Sequence, residues 1–242
     1  MKNFRLMASL VVLIGIFAGS AHAGNGHSII EFSDARIIIE INATDGDSGI
    51  QMFVDGEGWR RLTVFDPTWK KVLRVTGRGG VGQTGLTELF FESAEPGFDD
   101  LPLDEFLERF PEGTYWFFGR SVEGDLLLGT ADLTHNLPAG PELVLPEEES
   151  EVSTSGVVVE WEAVTTQFGG GPLEGDIVGY QVIVEQEEPV LRVFRADVPA
   201  DVTSISIAPE FMLPGVDYKF EVVAIEESGN QTLSEREFST VE

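Results

Sequence analysis

In the stretch NATDGDSGIQ two carboxylates, Asp45 and Asp47, flank Gly46, and Gly49 follows at what reads as a strand entrance. Turns of this kind suit a hard cation. Ca2+ takes roughly six to eight oxygens, and carboxylates with backbone carbonyls on a flexible turn supply some of them. The pattern stops short of a full calcium loop, because Gly49 stands where a further Asp or Asn would and no Glu follows at the closing distance. Asp and Gly are also what a plain turn uses. Ca2+ at Asp45 and Asp47 is the one cofactor the sequence offers; no other is expected.

The second chemically uneven stretch is WRRLTVFDPTWKKVLRVTGRGG, which holds six of the 13 basic residues that follow residue 23: Arg60, Arg61, Lys70, Lys71, Arg74 and Arg78. Trp59 and Trp69 lie ten residues apart around an Asp66-Pro67 turn. A hairpin there could show both indoles beside the cations, a surface for flat sugar rings or anionic glycans. The alternative keeps the Trp residues against the core and has the cations neutralise acids across strands, at ~0.2–1 kcal/mol a pair.

Catalytic chemistry has few candidates. The chain has no Cys, and after residue 23 only His27 and His135, which excludes Cys-His catalysis and the usual zinc sites. His135 lies near Asp132 in ADLTHNLP, but no Gly-x-Ser-x-Gly elbow presents a serine. Carboxylates abound, and a glycoside hydrolase needs only two across a cleft. Small modules leave little material for such a cleft, so no enzyme is expected.

The formal net charge is −27. A field of that sign repels phosphate backbones and anionic lipid, so neither nucleic acid nor a membrane surface is an expected partner, whereas cations and basic groups are favoured. Solubility alone also accounts for it. Lys2 and Arg5 precede an apolar run from Leu10 to Ala18, then small residues ending Ala-His-Ala at Ala23. That pattern predicts a signal peptide over residues 1–23, cleaved after Ala23, and a secreted or periplasmic chain without membrane insertion.

The elements that must position these residues read as short alternating strands. A first module over residues 24–140 contains ARIIIEINA, GIQMFVD, WRRLTVFD, KKVLRVTG, LTELFFES, GTYWFFGRS and DLLLGTADLT, about seven strands by length and turn signals. One segment differs: LPLDEFLERF places Leu103, Phe106, Leu107 and Phe110 at helical spacing behind Pro102, which predicts a short helix. The Pro138, Pro141 and Pro146 seam and its acids read as a solvated linker.

Residues 141–242 contain VVVEWEAV, DIVGYQVIVE, VLRVFRADV, DVTSISIAP, DYKFEVVAIE and TLSEREFSTV, with PELVLP as a first strand. Leu213-Pro-Gly-x-x-Tyr218 matches a tyrosine corner. With Trp161, Tyr180 and the closing AIEESGN, this region resembles a fibronectin type III domain, departing from it by a Gly-rich insertion at Phe168 to Gly175. It has no Arg-Gly-Asp loop, so the integrin contact of some relatives is not implied. PEGTY repeats the turn-to-tyrosine spacing at Tyr115, which suggests that the first module is immunoglobulin-like too. That module resembles the amino-terminal part of exported bacterial proteins carrying a fibronectin type III domain, a resemblance that supplies no activity.

The expected fold is therefore all-β: two β-sandwich modules in tandem, the second fibronectin type III-like, the first immunoglobulin-like with one short helix. The expected function is exported and non-enzymatic, a binding or structural role toward a protein or glycan of the envelope or extracellular space. The alternative is a carbohydrate-binding accessory protein using Trp59 and Trp69.

Overall fold

The computed structural model describes residues 28–241; the predicted signal segment and His27 lie outside them. The first module runs β1 (Ile29–Glu31), β2 (Asp34–Asn42), β3 (Asp47–Phe65), β4 (Lys71–Thr76), α1 (Gly79–Thr84), β5 (Leu86–Glu92), α2 (Leu103–Arg109), β6 (Gly113–Ser121) and β7 (Leu126–Leu133). In β2 the period of two is plain. Ile37, Ile39 and Ile41 face the core, while Arg36, Ile38 and Glu40 face out. GIQMFVD and WRRLTVFD, read as separate strands, are halves of the 19-residue β3. Its first half pairs with β2 and β5, its second with β6 and β4, so one strand serves both layers. Phe32 plugs the gap between them: a Cβ at Gly119 would lie 2.6 Å from its ring and one at Gly56 2.8 Å. The predicted helix is α2, whose Phe106 is buried and whose first turn carries Asp104 and Glu105. A second single turn, α1, bridges β4 and β5.

The second module runs β8 (Leu143–Leu145), β9 (Ser150–Val152), β10 (Val158–Trp161), β11 (Ile177–Gln186), β12 (Arg192–Pro199), β13 (Ser204–Ser206), β14 (Asp217–Glu226) and β15 (Gln231–Thr240). One sheet is β13-β10-β8; facing it lie β15-β14-β11-β12. Three antiparallel strands on four form an immunoglobulin-like sandwich, with Trp161, Tyr180, Tyr218 and Phe220 at its centre. Tyr218 closes the corner as its spacing predicts: its hydroxyl accepts from the Leu213 amide at 2.7 Å and donates to Gln186 Oε1 at 3.1 Å. The first module's Tyr115 does likewise, donating to the Pro111 carbonyl at 3.2 Å.

The seam is not a free linker. Leu137, Pro138, Pro141, Leu143 and Pro146 are buried, and β9 pairs with β15 directly after the exposed Glu147, Glu148 and Glu149. Apolar residues between the acids have somewhere to go, and their burial outweighs the charge repulsion among Glu147, Glu148 and Glu149.

The two modules also share a sheet. β15 pairs in parallel with β2, Gln231 opposite Glu40 and Leu233 opposite Asn42, which joins twelve strands of the described residues into one sheet. The turn from β14 to β15 inserts Asn230 beneath the first module. Its Oδ1 accepts from the Ile39 amide at 2.8 Å, and its Nδ2 donates to the carbonyls of Thr134 at 2.9 Å and Asn136 at 3.1 Å. The Gly-rich insertion straps the other flank: the Phe168 amide donates to the Leu137 carbonyl at 2.9 Å, and its ring packs on Phe98. No helix among the described residues is long and apolar enough to cross a membrane.

Candidate ligand-binding face

The outer surface of β4, β3, β6 and β7 is built in cross-strand rows. Arg61 lies opposite Arg120 and Thr76, Thr63 opposite Phe118 and Arg74, and Phe65 opposite Trp116 and Lys71. The inward set between them, Leu62, Val64, Tyr115 and Phe117, fills the core. The register of three paired strands, β4, β3 and β6, thus places four cations and three aromatic rings on one face.

Trp69 completes that face from the loop after β3. Asp66 is buried, and its Oδ1 accepts from the amides of Thr68 at 2.8 Å and Lys70 at 2.9 Å and from the Thr68 hydroxyl at 2.7 Å. These bonds cinch the five-residue turn and hold Trp69 at φ 64, a left-handed conformation that costs a bulky residue on the order of 1–2 kcal/mol. The strain has a visible product: the indole lies flat on Trp116, centroids 5.4 Å apart and planes 17° apart, and near Phe65 and Phe118, while remaining 58% exposed.

Trp59 does not join it. The expectation that both indoles share a surface is corrected here: Trp59 is 0% exposed within the first module's core. The cause is a bulge. Trp59 pairs with Ser121 and Arg61 with Arg120, leaving Arg60 as an extra residue; strict alternation would have put Trp59 on Arg61's side, and the inserted residue turns it inward. The acid-pairing alternative is corrected as well. Among the described residues the ion pairs are Arg36 with Asp34 and Lys219 with Glu221 and Glu235, so Arg61, Lys71 and Arg74 have no carboxylate within bonding range. Arg120 donates to the Gly124 carbonyl at 2.7 Å. The face is shallow, a depression of about 240 Å³ bordered by Arg61, Phe65, Lys71, Arg74, Phe118 and Arg120. Trp116, Phe118 and Arg120 were missed in the sequence. Their signal was the spacing of two within GTYWFFGRS, hidden because the alternate residues there are also aromatic.

Asp45 and Asp47 sit on the hairpin joining β2 to β3. Asn42 Oδ1 accepts from the amides of Thr44 at 2.9 Å and Asp45 at 3.0 Å, shaping the turn. Asp47 Oδ1 is buried with no hydrogen-bond partner. Burial above all, then the charges of Asp45 and Glu235, raises the Asp47 carboxyl above its ordinary range. A neighbouring group was missed in the sequence: carboxylate oxygens of Glu40, Glu92 and Glu95 lie within 4.8 Å of one another, and the three could share a divalent cation. Gln51 Nε2 donates to Glu40 and Glu92, each at 2.9 Å, and Gln231 donates to Glu40 from the second module.

Although Glu95 is exposed, partial loss of water around its carboxyl, followed by the charges of Glu92 and Glu40, pushes it from 4.5 up to about 7. Between those values the folded chain holds a proton that the unfolded chain has released, so stability falls as pH rises through the window and that contribution is gone above it. Thermal melts from pH 4 to 8 should therefore decline more steeply for the native chain than for Glu95→Gln, with the variant melting higher at pH 8. Parallel profiles would show that the cluster does not couple to folding.

His135 Nε2 lies 2.8 Å from the Phe110 carbonyl and its amide donates to Glu112 at 2.7 Å, bonds that fix the end of β7.

No family model and no curated protein matches the chain. Among solved structures, it is similar to the FN1–FN3 domains of chicken CNTN1 at 17% identity and a TM-score of 0.35, over 89% of this chain and 65% of that one. A two-domain fibronectin type III segment of chicken tenascin is similar at 12% identity and a TM-score of 0.29, over 85% of this chain and 97% of that one. The BSP domain of a biofilm-associated protein follows at 17% identity and 0.27, over 87% and 30%. Scores of this size say nothing of ligand or partner, and the three-on-four sandwich with its tyrosine corner stands on the strand pairing itself.

Proposed function

We propose that the protein is an exported, non-enzymatic binding protein whose first module takes an acidic partner, a protein segment carrying carboxylates and apolar side chains, on the face formed by Trp69, Trp116, Phe118, Arg61, Lys71 and Arg74. One observation carries this reading: cations with no carboxylate partner among the described residues surround the exposed, stacked indole of Trp69 in a chain whose net charge is −27. Elsewhere that charge keeps partners of like sign away; here the local field is reversed, which steers an acidic partner to this place. Shallowness and the Trp and Arg content match a protein contact, where such residues supply most of the affinity. A glycan fits less well, because Trp116 covers one side of Trp69 and a single indole surface is left for a sugar ring.

The test is titration with a peptide of alternating Glu and Leu, with a Lys-Leu peptide and a soluble acidic polysaccharide as the other arms. Binding of the Glu-Leu peptide should weaken at least tenfold in Arg61→Glu/Arg74→Glu and fall with salt. Preference for the polysaccharide would favour the glycan reading, and no binding in any arm would remove the assignment. The orphaned Asp47 oxygen supports a second proposal, weak Ca2+ binding at Asp45 and Asp47. Millimolar Ca2+ should raise the melting temperature of the native chain and leave Asp45→Asn/Asp47→Asn unmoved; an unchanged melt and null calorimetry would count against it.

A further inference from the structure

We infer that the acidic partner is a second copy of this chain, whose Glu187–Leu191 loop docks on the cation–aromatic face, giving head-to-tail association. The inference rests on the reading just given and names the occupant of that face.

The loop joins β11 to β12 and has the complementary chemistry in five residues. Glu187 and Glu188 are exposed, and behind Pro189 Val190 and Leu191 are 67% and 65% exposed. Two neighbouring large apolar side chains left open to water at one tip form an unsatisfied patch rather than scattered exposure. Around the loop lies a depression of about 520 Å³, to which Glu185, Asp217 and Glu237 add further carboxylates. Its one cation, Lys219, is already held by Glu221 and Glu235 at 3.0 and 3.1 Å, so it leaves the loop acidic. Residues 141–242 carry 22 acids against four bases, whereas six cations cluster around β3 and β4 of the first module. Val190 and Leu191 match the open indole of Trp69 and the ring of Phe118; Glu187 and Glu188 match Arg61, Lys71 and Arg74. Each side supplies what the other lacks, and the desolvated apolar contact and the charge pairs reinforce one another.

Geometry makes the contact intermolecular. Glu185 pairs with Lys219 at the start of β14, whereas the turn at Glu226–Asn230 that meets the first module lies at the end of that strand. The loop therefore stands at the opposite pole of its own sandwich, about 25–30 Å along the strand from the joint. The shared sheet and the Asn230 bonds hold that separation, so a molecule cannot fold its loop back onto its own face. Different patches on the two partners make the contact heterologous, and repetition gives a ring or an open chain rather than an isologous dimer.

The full chain without its signal segment should show a sedimentation coefficient that rises with concentration and falls back in 0.5 M salt. Val190→Ser/Leu191→Ser, which lacks the loop's apolar tip, and Arg61→Glu/Arg74→Glu, which lacks the face, should each sediment as monomers. Mixed together, they should form a one-to-one dimer and go no further, since the remaining loop of one fits the remaining face of the other and both free ends are blocked. Monomers at every concentration, or a mixture that fails to pair, would overturn the inference. The two readings separate cleanly: a native chain that binds the Glu-Leu peptide yet never self-associates keeps the face and loses the partner, and one that does neither loses both. Circular dichroism of the variants excludes misfolding, and the loop variant should bind the Glu-Leu peptide as tightly as the native chain.

Discussion

Replacing Asn230 by alanine is expected to lower the unfolding free energy by about 4 kcal/mol and to break one cooperative urea transition into two. The side chain is 1% exposed and serves three backbone groups of the first module: the Ile39 amide and the carbonyls of Thr134 and Asn136. Alanine would strand the buried Ile39 amide and take this partner from the two part-buried carbonyls, at roughly 1–3 kcal/mol each. Neighbouring bonds would loosen in turn, because Asn136 Nδ2 donates to Glu226 Oε2 at 3.2 Å and Glu226 accepts from the Ser228 amide at 3.0 Å in the same turn. Cooperativity is the more telling readout. The modules have separate cores and are coupled through the β2–β15 pairing and this turn; weakening the coupling exposes two unfolding units. A single transition displaced by less than about 1 kcal/mol would mean that Asn230 is not the latch, by the usual scale of surface substitutions.

The latch bears on function through the loops it consumes. A β-sandwich presents loops at two poles. In the second module one pole, with the β14–β15 turn, is buried against the first module, and the insertion around Phe168 straps the same joint. What stays open is the opposite pole, with the Glu187–Leu191 loop, and the lateral face around Trp69. The molecule thus has an acidic, apolar tip on the second module and a cationic, aromatic flank on the first, joined through the β2–β15 pairing.

Legibility in the sequence followed the range of the interactions concerned. The Tyr218 corner, α2 behind Pro102 and the alternation of β2, β11 and β14 are local patterns, and each appears where its residues place it. Pairings between distant segments were not legible. β2 and β15 both alternate well, but nothing in either says that Glu40 will lie beside Gln231, 191 residues away. Asn230 reads only as the last residue of the turn-rich AIEESGN, because its partners come from β2 and from just beyond β7. Trp59 failed for a local reason that is equally invisible: an extra residue in a strand reverses the parity of everything before it, and no residue type announces that Arg60 is the extra one. Half of the proposed face was legible as a basic island; the other half lies on β6, whose register against β3 decides which rings stand beside which cations.

Trp59 and Trp69, once candidates for one surface, should separate in opposite directions. Trp59→Ala removes an indole that is 0% exposed and leaves a cavity in the first module's core, at about 3–5 kcal/mol, so the melting temperature should fall sharply. Any loss of Glu-Leu peptide binding in this variant would recover under conditions where it remains folded. Trp69→Ala takes away a ring whose burial is partial and leaves alanine in the same left-handed conformation, held by the Asp66 bonds, so stability should move by less than about 1 kcal/mol. Peptide binding, in contrast, should drop at least tenfold, because the indole is the apolar contact between the cations. Trp69→Gly gives the control: glycine tolerates the positive φ, so this variant should be as stable as the native chain or slightly more so, and still bind poorly. Full binding in the two Trp69 variants would show that the cations act without the aromatic stack. The strained turn that presents the indole would then need a reason other than recognition.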